Sequence, residues 1–111
     1  MTEITSVLNK LYQLAALSPS KEVCGVVDSS FVVHPITNKA ANQKSCFVFD
    51  KREYFALIKK LKDDGQHVLF IYHSHPSNNV TPSAADVAFT KRSGIPQVIV
   101  GRNTYKVVEN A

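Results

Sequence analysis

The sequence predicts an α/β fold: one compact domain over residues 1–111, a mixed central β-sheet flanked by three helices. Three observations predict it. Three segments carry apolar residues at helical spacing or open with helix-start residues. Short β-branched runs of strand length lie between them. The chain has 111 residues, room for one core and no second.

Ile4, Val7, Leu8, Leu11 and Leu14 recur at three- and four-residue spacing, which predicts a helix over 3–17, ended before Ser18-Pro19-Ser20. Glu22 to Val27 is short, apolar and β-branched and reads as a strand. Phe31 to His34 reads as its neighbour across an Asp28-Ser29-Ser30 turn, with Pro35 in an edge or irregular continuation. Residues 37–45 are polar and read as loop, and Cys46-Phe47-Val48-Phe49 as another short strand.

Asp50 is a good N-cap, and Glu53 completes a capping-box-like pair. Tyr54, Leu57, Ile58 and Leu61 then supply the apolar face of a second helix that stops near Gly65. Val68 to Ile71 is the apolar run of a central, buried strand. After a loop over 76–80, Thr81 as N-cap and Pro82 at the first helical position open a third helix. Val87 and Phe89 or Thr90 continue it to Gly94. Pro96 to Val100 and Thr104 to Val108 close the chain as a hairpin around Gly101-Arg102-Asn103.

Composition removes several function classes. The apolar fraction is 44%, the charged fraction 20% and the net charge +4, a weak signal for nucleic-acid binding. Lys59, Lys60 and Lys62 read as a solvated helix face. The two cysteines, Cys24 and Cys46, form no Cys-x-x-Cys pair and no disulfide framework, and both are expected in the core. The chain shows no secretory leader pattern and no apolar run near the ~18 residues of a membrane span. A cytoplasmic protein without nucleic-acid or membrane partners is expected.

The chemistry concentrates in Tyr72-His73-Ser74-His75-Pro76, together with Ser83 and Asp86. Residues i and i+2 of a strand share a side, so His73 and His75 project together and Ser74 turns away into the sheet. Pro76 ends the strand. Ser83 and Asp86, three residues apart at a helix start, share a helix face. Two imidazoles and one carboxylate are the ligand set of an open catalytic zinc site. His34 and His67 have no partner spacing and read as structural or surface.

The pattern Glu22, His73-Ser74-His75-Pro76, Ser83 and Asp86 resembles the JAMM signature of MPN+ domain metallopeptidases. The segment from Glu22 to Val27 is similar to that family's first strand. Asn42 to Asp50 looks like the segment before its second helix, especially in bacterial and phage members. The resemblance implies a cytidine-deaminase-like MPN/JAMM sandwich, Zn2+ held by His73, His75 and Asp86, and Glu22 as general base. A metal-activated water would attack an amide, and the oxyanion it builds needs a donor, for which Ser83 is placed. The implied reaction is hydrolysis of a peptide or isopeptide bond. Its substrate would be a protein or peptide: a ubiquitin-like or sulfur-carrier tail, a cell-wall peptide or a phage structural protein. The chain lacks long insertions after Ser83, such as those that hold the ubiquitin-like partner in deubiquitinating members.

Rival zinc readings fail on spacing. Zinc deaminases need His-x-Glu and Pro-Cys-x-x-Cys. Helical metalloproteases need two histidines four apart. Barrel amidohydrolases need a chain of ~250 residues. The competing non-enzyme reading is an interaction or assembly module on the same scaffold, as in phage tail assembly; metal-free family members usually lack one or more ligands.

Overall fold

The structure, a computed structural model, describes residues 3–44 and 46–109. Met1, Thr2, Asn110, Ala111 and the end of the expected 37–45 loop, Ser45, lie outside the described residues. In chain order the elements are α1 (Glu3–Ala16), β1 (Cys24–Asp28), β2 (Val33–Ile36), α2 (Lys51–Asp63), β3 (Val68–Ser74), α3 (Ala84–Ser93), β4 (Gln97–Val100) and β5 (Tyr105–Val108).

The strands form one mixed sheet in the order β2-β1-β3-β4-β5. β1 runs antiparallel to both β2 and β3, β3 and β4 are parallel, and β4 and β5 form the expected hairpin. Alternation along β3 sends its side chains to two cores. Phe70 and Tyr72 join Val7 and Leu11 of α1 on one face, with Val27, Val98 and Val100. Ile71 joins Val26 and Ile36 on the other, under Tyr54 and Leu57 of α2 and Phe89 of α3. The sheet is thus sandwiched, with α1 on one side and α2 and α3 on the other. The face of α1 is close to that expected, except that Ile4 is about half exposed.

β1 must approach its neighbours closely. A Cβ on Gly25 would overlap the Tyr72 side chain and the His34 carbonyl oxygen, so only glycine fits there. Pro35 lies opposite Gly25 on the edge strand β2, where its missing N–H can face away from the sheet.

Several expectations are corrected. The first strand starts at Cys24, and its neighbour at Val33. Glu22 and Val23 precede the regular ladder: Glu22 N–H donates to the Gln43 carbonyl (2.6 Å) and Val23 N–H to Ser74 Oγ (2.9 Å). Residues 46–49 form no strand, only an isolated bridge between Asn38 and Phe49. The Asn38 side chain replaces the ladder, accepting from Ala40 and Val48 N–H and donating to the Cys46 carbonyl. Cys24 is buried as expected, but Cys46 is exposed.

Asp50 does cap α2, accepting from Glu53 N–H, but Glu53 does not close the box. Its carboxylate accepts from Thr37 N–H instead, tying α2 to the end of β2. The third helix starts two residues later than expected. Ser83 is its N-cap, not a residue of the first turn, because Ser83 and Asp86 satisfy each other's backbone N–H groups reciprocally. Thr81 stays in the loop, its N–H donating to Asn79 Oδ1. Val87 is about half exposed, and the buried positions of α3 are Asp86 and Thr90.

Candidate metal centre

β3 is the element that aims the site. His73 is its penultimate residue and is completely buried, its ring stacked on Phe47 with centroids 4.5 Å apart. Ser74 turns to the opposite face, where its hydroxyl accepts from Val23 N–H. His75 follows the strand, its backbone N–H donating to the Val100 carbonyl. The two imidazoles therefore converge as the i, i+2 spacing requires, with Nε2 to Nε2 at 3.2 Å.

Asp86 arrives from the other direction, in the first turn of α3, where the helix N-terminus favours an anion. Its Oδ1 lies 3.4 Å from His73 Nε2 and its Oδ2 3.7 Å from His75 Nε2. Oδ2 also accepts from Ser83 N–H at 2.9 Å, and Asp86 N–H donates to Ser83 Oγ at 3.1 Å. The capping box that starts the helix thus also fixes the rotamer of its buried carboxylate.

Glu22 comes from the approach to β1. The β1–β3 register pairs Cys24 with His73, and two residues further Glu22 lies across from His75. Its carboxylate is buried, and a Glu22 oxygen, a His73 nitrogen and a His75 nitrogen all lie within 4.8 Å of one another. All five residues singled out in the sequence are thus neighbours here, although Ser83 sits on the rim and is exposed. His34, which the sequence places outside the pattern, is not part of the site. It pairs with Asp28 at 2.8 Å, a contact that its spacing in the sequence does not announce.

The electrostatics follow from burial and crowding. Burial pushes Glu22 up to about 7, against the pull of His75 and with a smaller push from Asp86. Burial also lowers His73, so its ring favours the neutral form. His75 is raised, chiefly by the Asp86 carboxylate. For Asp86 burial is the largest single influence and opposes ionisation. The two imidazoles and Ser83 N–H outweigh it together and hold Asp86 well below the usual carboxylate range.

Donor chemistry tests whether these residues suit a cation. His75 Nδ1 donates to the Asn79 carbonyl at 2.8 Å, so a neutral His75 ring turns an Nε2 lone pair toward the cluster. That lone pair faces the Nε2 of His73 and an ionised carboxylate. Such a group repels itself unless a proton or a cation lies among its members, and an outer hydrogen bond of the His75 kind is what orients metal-ligating imidazoles. The residues therefore fit a divalent ion.

Two supports were not legible as site residues. Asn38 Nδ2 donates to the Glu22 carbonyl at 3.0 Å and so helps fix the residue before β1. Gln97, completely buried on β4, donates through Nε2 to the Asp86 carbonyl at 2.7 Å and to Thr90 Oγ1 at 2.9 Å. A glutamine inside an otherwise apolar strand, Gln97-Val98-Ile99-Val100, was the available signal, since buried amides need partners.

Comparison with known proteins agrees with this architecture. A solved protein from Desulfitobacterium hafniense superposes with a TM-score of 0.67 at 22% identity, covering 95% of this chain and 76% of that one. A JAB1/MPN domain protein from Archaeoglobus fulgidus gives 0.58 at 22% identity, covering 93% and 82%. Among curated proteins, a desampylase from Haloferax volcanii is 33% identical over 87 residues, 73% of this chain. The match spans 63% of that relative's length. The family model for prokaryotic homologs of the JAB domain matches residues 5–110. With that match across nearly its whole length, and with the same sandwich in its structural neighbours, the chain belongs to the prokaryotic JAB-domain family.

Proposed function

We propose that this chain is a zinc-dependent hydrolase that cuts a peptide or isopeptide bond at the tail of a ubiquitin-like protein. One observation carries the reading: His73, His75 and Asp86 converge with approaches of 3.2, 3.4 and 3.7 Å beside the buried Glu22 carboxylate. Family membership and the desampylase relative support the isopeptidase direction. The proposed substrate class follows from the likeness to the desampylase and from family membership.

In this reading His73, His75 and Asp86 hold the ion. Imidazole and carboxylate donors suit zinc. When bound, zinc supplies an electrophilic centre that acidifies water and polarises a carbonyl. Glu22 takes a proton from the attacking water and hands it to the leaving amine. A pKa pushed up to about 7 makes both of its protonation states accessible near neutral pH. Ser83 accepts from Asp86 N–H through oxygen, which leaves its own O–H to donate to the developing oxyanion.

The test is a cleavage assay on an isopeptide-linked ubiquitin-like conjugate, with the zinc-supplied chain and its Glu22→Gln variant side by side. We expect release of the tail by the wild type and none by Glu22→Gln, with zinc binding kept in both. Normal turnover by Glu22→Gln would remove Glu22 from the proton-transfer role. No cleavage of any peptide or isopeptide conjugate by the zinc-loaded wild type would favour the interaction module instead.

A further inference from the structure

The loop that follows His75 is held from an unexpected direction. Asn78 has a positive φ of 64°, a conformation asparagine tolerates better than most residues. Its side chain leaves its own loop and reaches the turn between β4 and β5, more than 20 residues away. Asn78 Oδ1 accepts from Arg102 N–H at 2.6 Å and, more weakly, from Asn103 N–H at 3.4 Å. Asn78 Nδ2 donates to Asn103 Oδ1 at 3.3 Å. A Cβ on Gly101 would overlap Asn78 Oδ1, so the glycine leaves the space in which this clasp closes.

The clasp sits one residue from the group that orients His75. Asn78 N–H donates to the His75 carbonyl at 3.1 Å, which makes residues 75–78 a tight turn. The next carbonyl, that of Asn79, accepts from His75 Nδ1 at 2.8 Å. Where that carbonyl stands decides which way the ring points, and so where Nε2 meets His73 and Asp86. Local bonds from Ser77 Oγ and Asn79 Oδ1 shape the loop, but they tie it only to itself. Among the described residues, the Asn78 side chain anchors it to the sheet hairpin.

We propose that Asn78 is a positioning residue for the metal centre: clasped to the Gly101–Asn103 turn, it fixes the Asn79 carbonyl that sets the tautomer and direction of the His75 ring. This rests on the reading of His75 as a metal ligand. Asn78 touches neither substrate nor ion in this scheme. Gly101 is the complementary half of the device.

The test compares Asn78→Gly, Asn78→Asp and Gly101→Ala with the wild type. Glycine keeps the positive φ and removes only the clasp. Aspartate keeps the acceptor oxygen. The first readout is the His75 ring in the metal-free protein by nitrogen-15 NMR at fixed pH. We expect a protected Nδ1–H signal in the wild type and in Asn78→Asp, lost or broadened in Asn78→Gly and Gly101→Ala. The second is zinc affinity by chelator competition, expected to fall about tenfold in Asn78→Gly and Gly101→Ala, the lower end of outer-shell effects. Asn78→Asp should stay near wild type. A wild-type ring signal and wild-type zinc affinity in Asn78→Gly would overturn the proposal. So would equal losses in Asn78→Gly and Asn78→Asp, because the acceptor oxygen would then not matter. A wild type that binds no zinc would refute the metal-site reading by itself, while the ring signal would still decide whether the clasp orients His75.

Discussion

Glu22 is buried, and the nearby His75 does not offset that burial, so its carboxyl stays above the ordinary range. A carboxylate pushed up to about 7 takes protons at a pH where ordinary glutamates cannot. If Glu22 is the proposed general base it must be deprotonated, so the rate of hydrolysis should rise as pH rises through its pKa. A cation held at the proposed site would stabilise the anion and set the acid limb at or below about pH 7. We expect that limb in a pH profile of kcat/KM for the wild type, and a profile limited by other groups in any residual activity of Glu22→Gln. An acid limb unchanged in Glu22→Gln would assign the titration elsewhere. Ser83 caps α3, and in the proposed mechanism it also donates to the oxyanion, so one substitution would remove both. Ser83→Ala should lower kcat by about 10²–10³ as an oxyanion donor is lost. It should also cost ~1 kcal/mol of stability as the cap is lost. A kcat unchanged alongside lower stability would mean that the serine only starts the helix. At this scale the sequence revealed the chemically unusual residues, because His-x-His-Pro and Ser-x-x-Asp are informative as spacings. It could not reveal Asn38, Asn78 or Gln97. Their value lies in which distant backbone groups they reach, and no local pattern encodes that.

The elements show where local propensity ruled and where packing overrode it. Helix α1 was legible because its buried stripe is apolar. Helix α3 was legible only through its ends, because its inward positions, Asp86 and Thr90, are polar, and Gln97 serves both. Apolar spacing points first to Val87, which faces out. Gln97→Leu keeps the volume but removes the amide that donates to the Asp86 carbonyl and the Thr90 hydroxyl. We expect it to lower unfolding free energy by ~1–3 kcal/mol in a denaturant titration; a loss under about 0.5 kcal/mol would show that water replaces the amide. The end of the β1–β2 hairpin makes a second case. Asp28 is buried and accepts from Ser30 and Val32 N–H while pairing with His34. Burial raises its pKa, but these partners outweigh burial and lower it below its ordinary 3.8. A depressed carboxylate contributes stability above its unfolded-state pKa and loses it as pH falls through the folded value. Asp28→Ala should thus cost ~2 kcal/mol at pH 7. The electrostatic part of that gap should shrink as pH falls below 3.8 towards the folded pKa. A gap independent of pH would mean that the ionised form adds nothing.

Over the whole molecule, the alternation of periods in the sequence was enough for the sandwich, since a chain of this length has few ways to cover both faces of one sheet. Strand limits were less legible. Residues 46–49 have strand composition, yet the Asn38 side chain takes the hydrogen bonds a ladder would have used. The sandwich brings together three separate pieces of chain: the entry to β1, the end of β3 and the start of α3. None of them is a metal site alone. Zinc content, measured by inductively coupled plasma mass spectrometry on the tag-free chain and on His73→Ala, is the most direct test of that convergence. We expect about one zinc per chain in the wild type and almost none in His73→Ala. A wild type that takes up no zinc even when it is offered, or a His73→Ala variant that keeps its full zinc, would contradict a metal centre built on the end of β3.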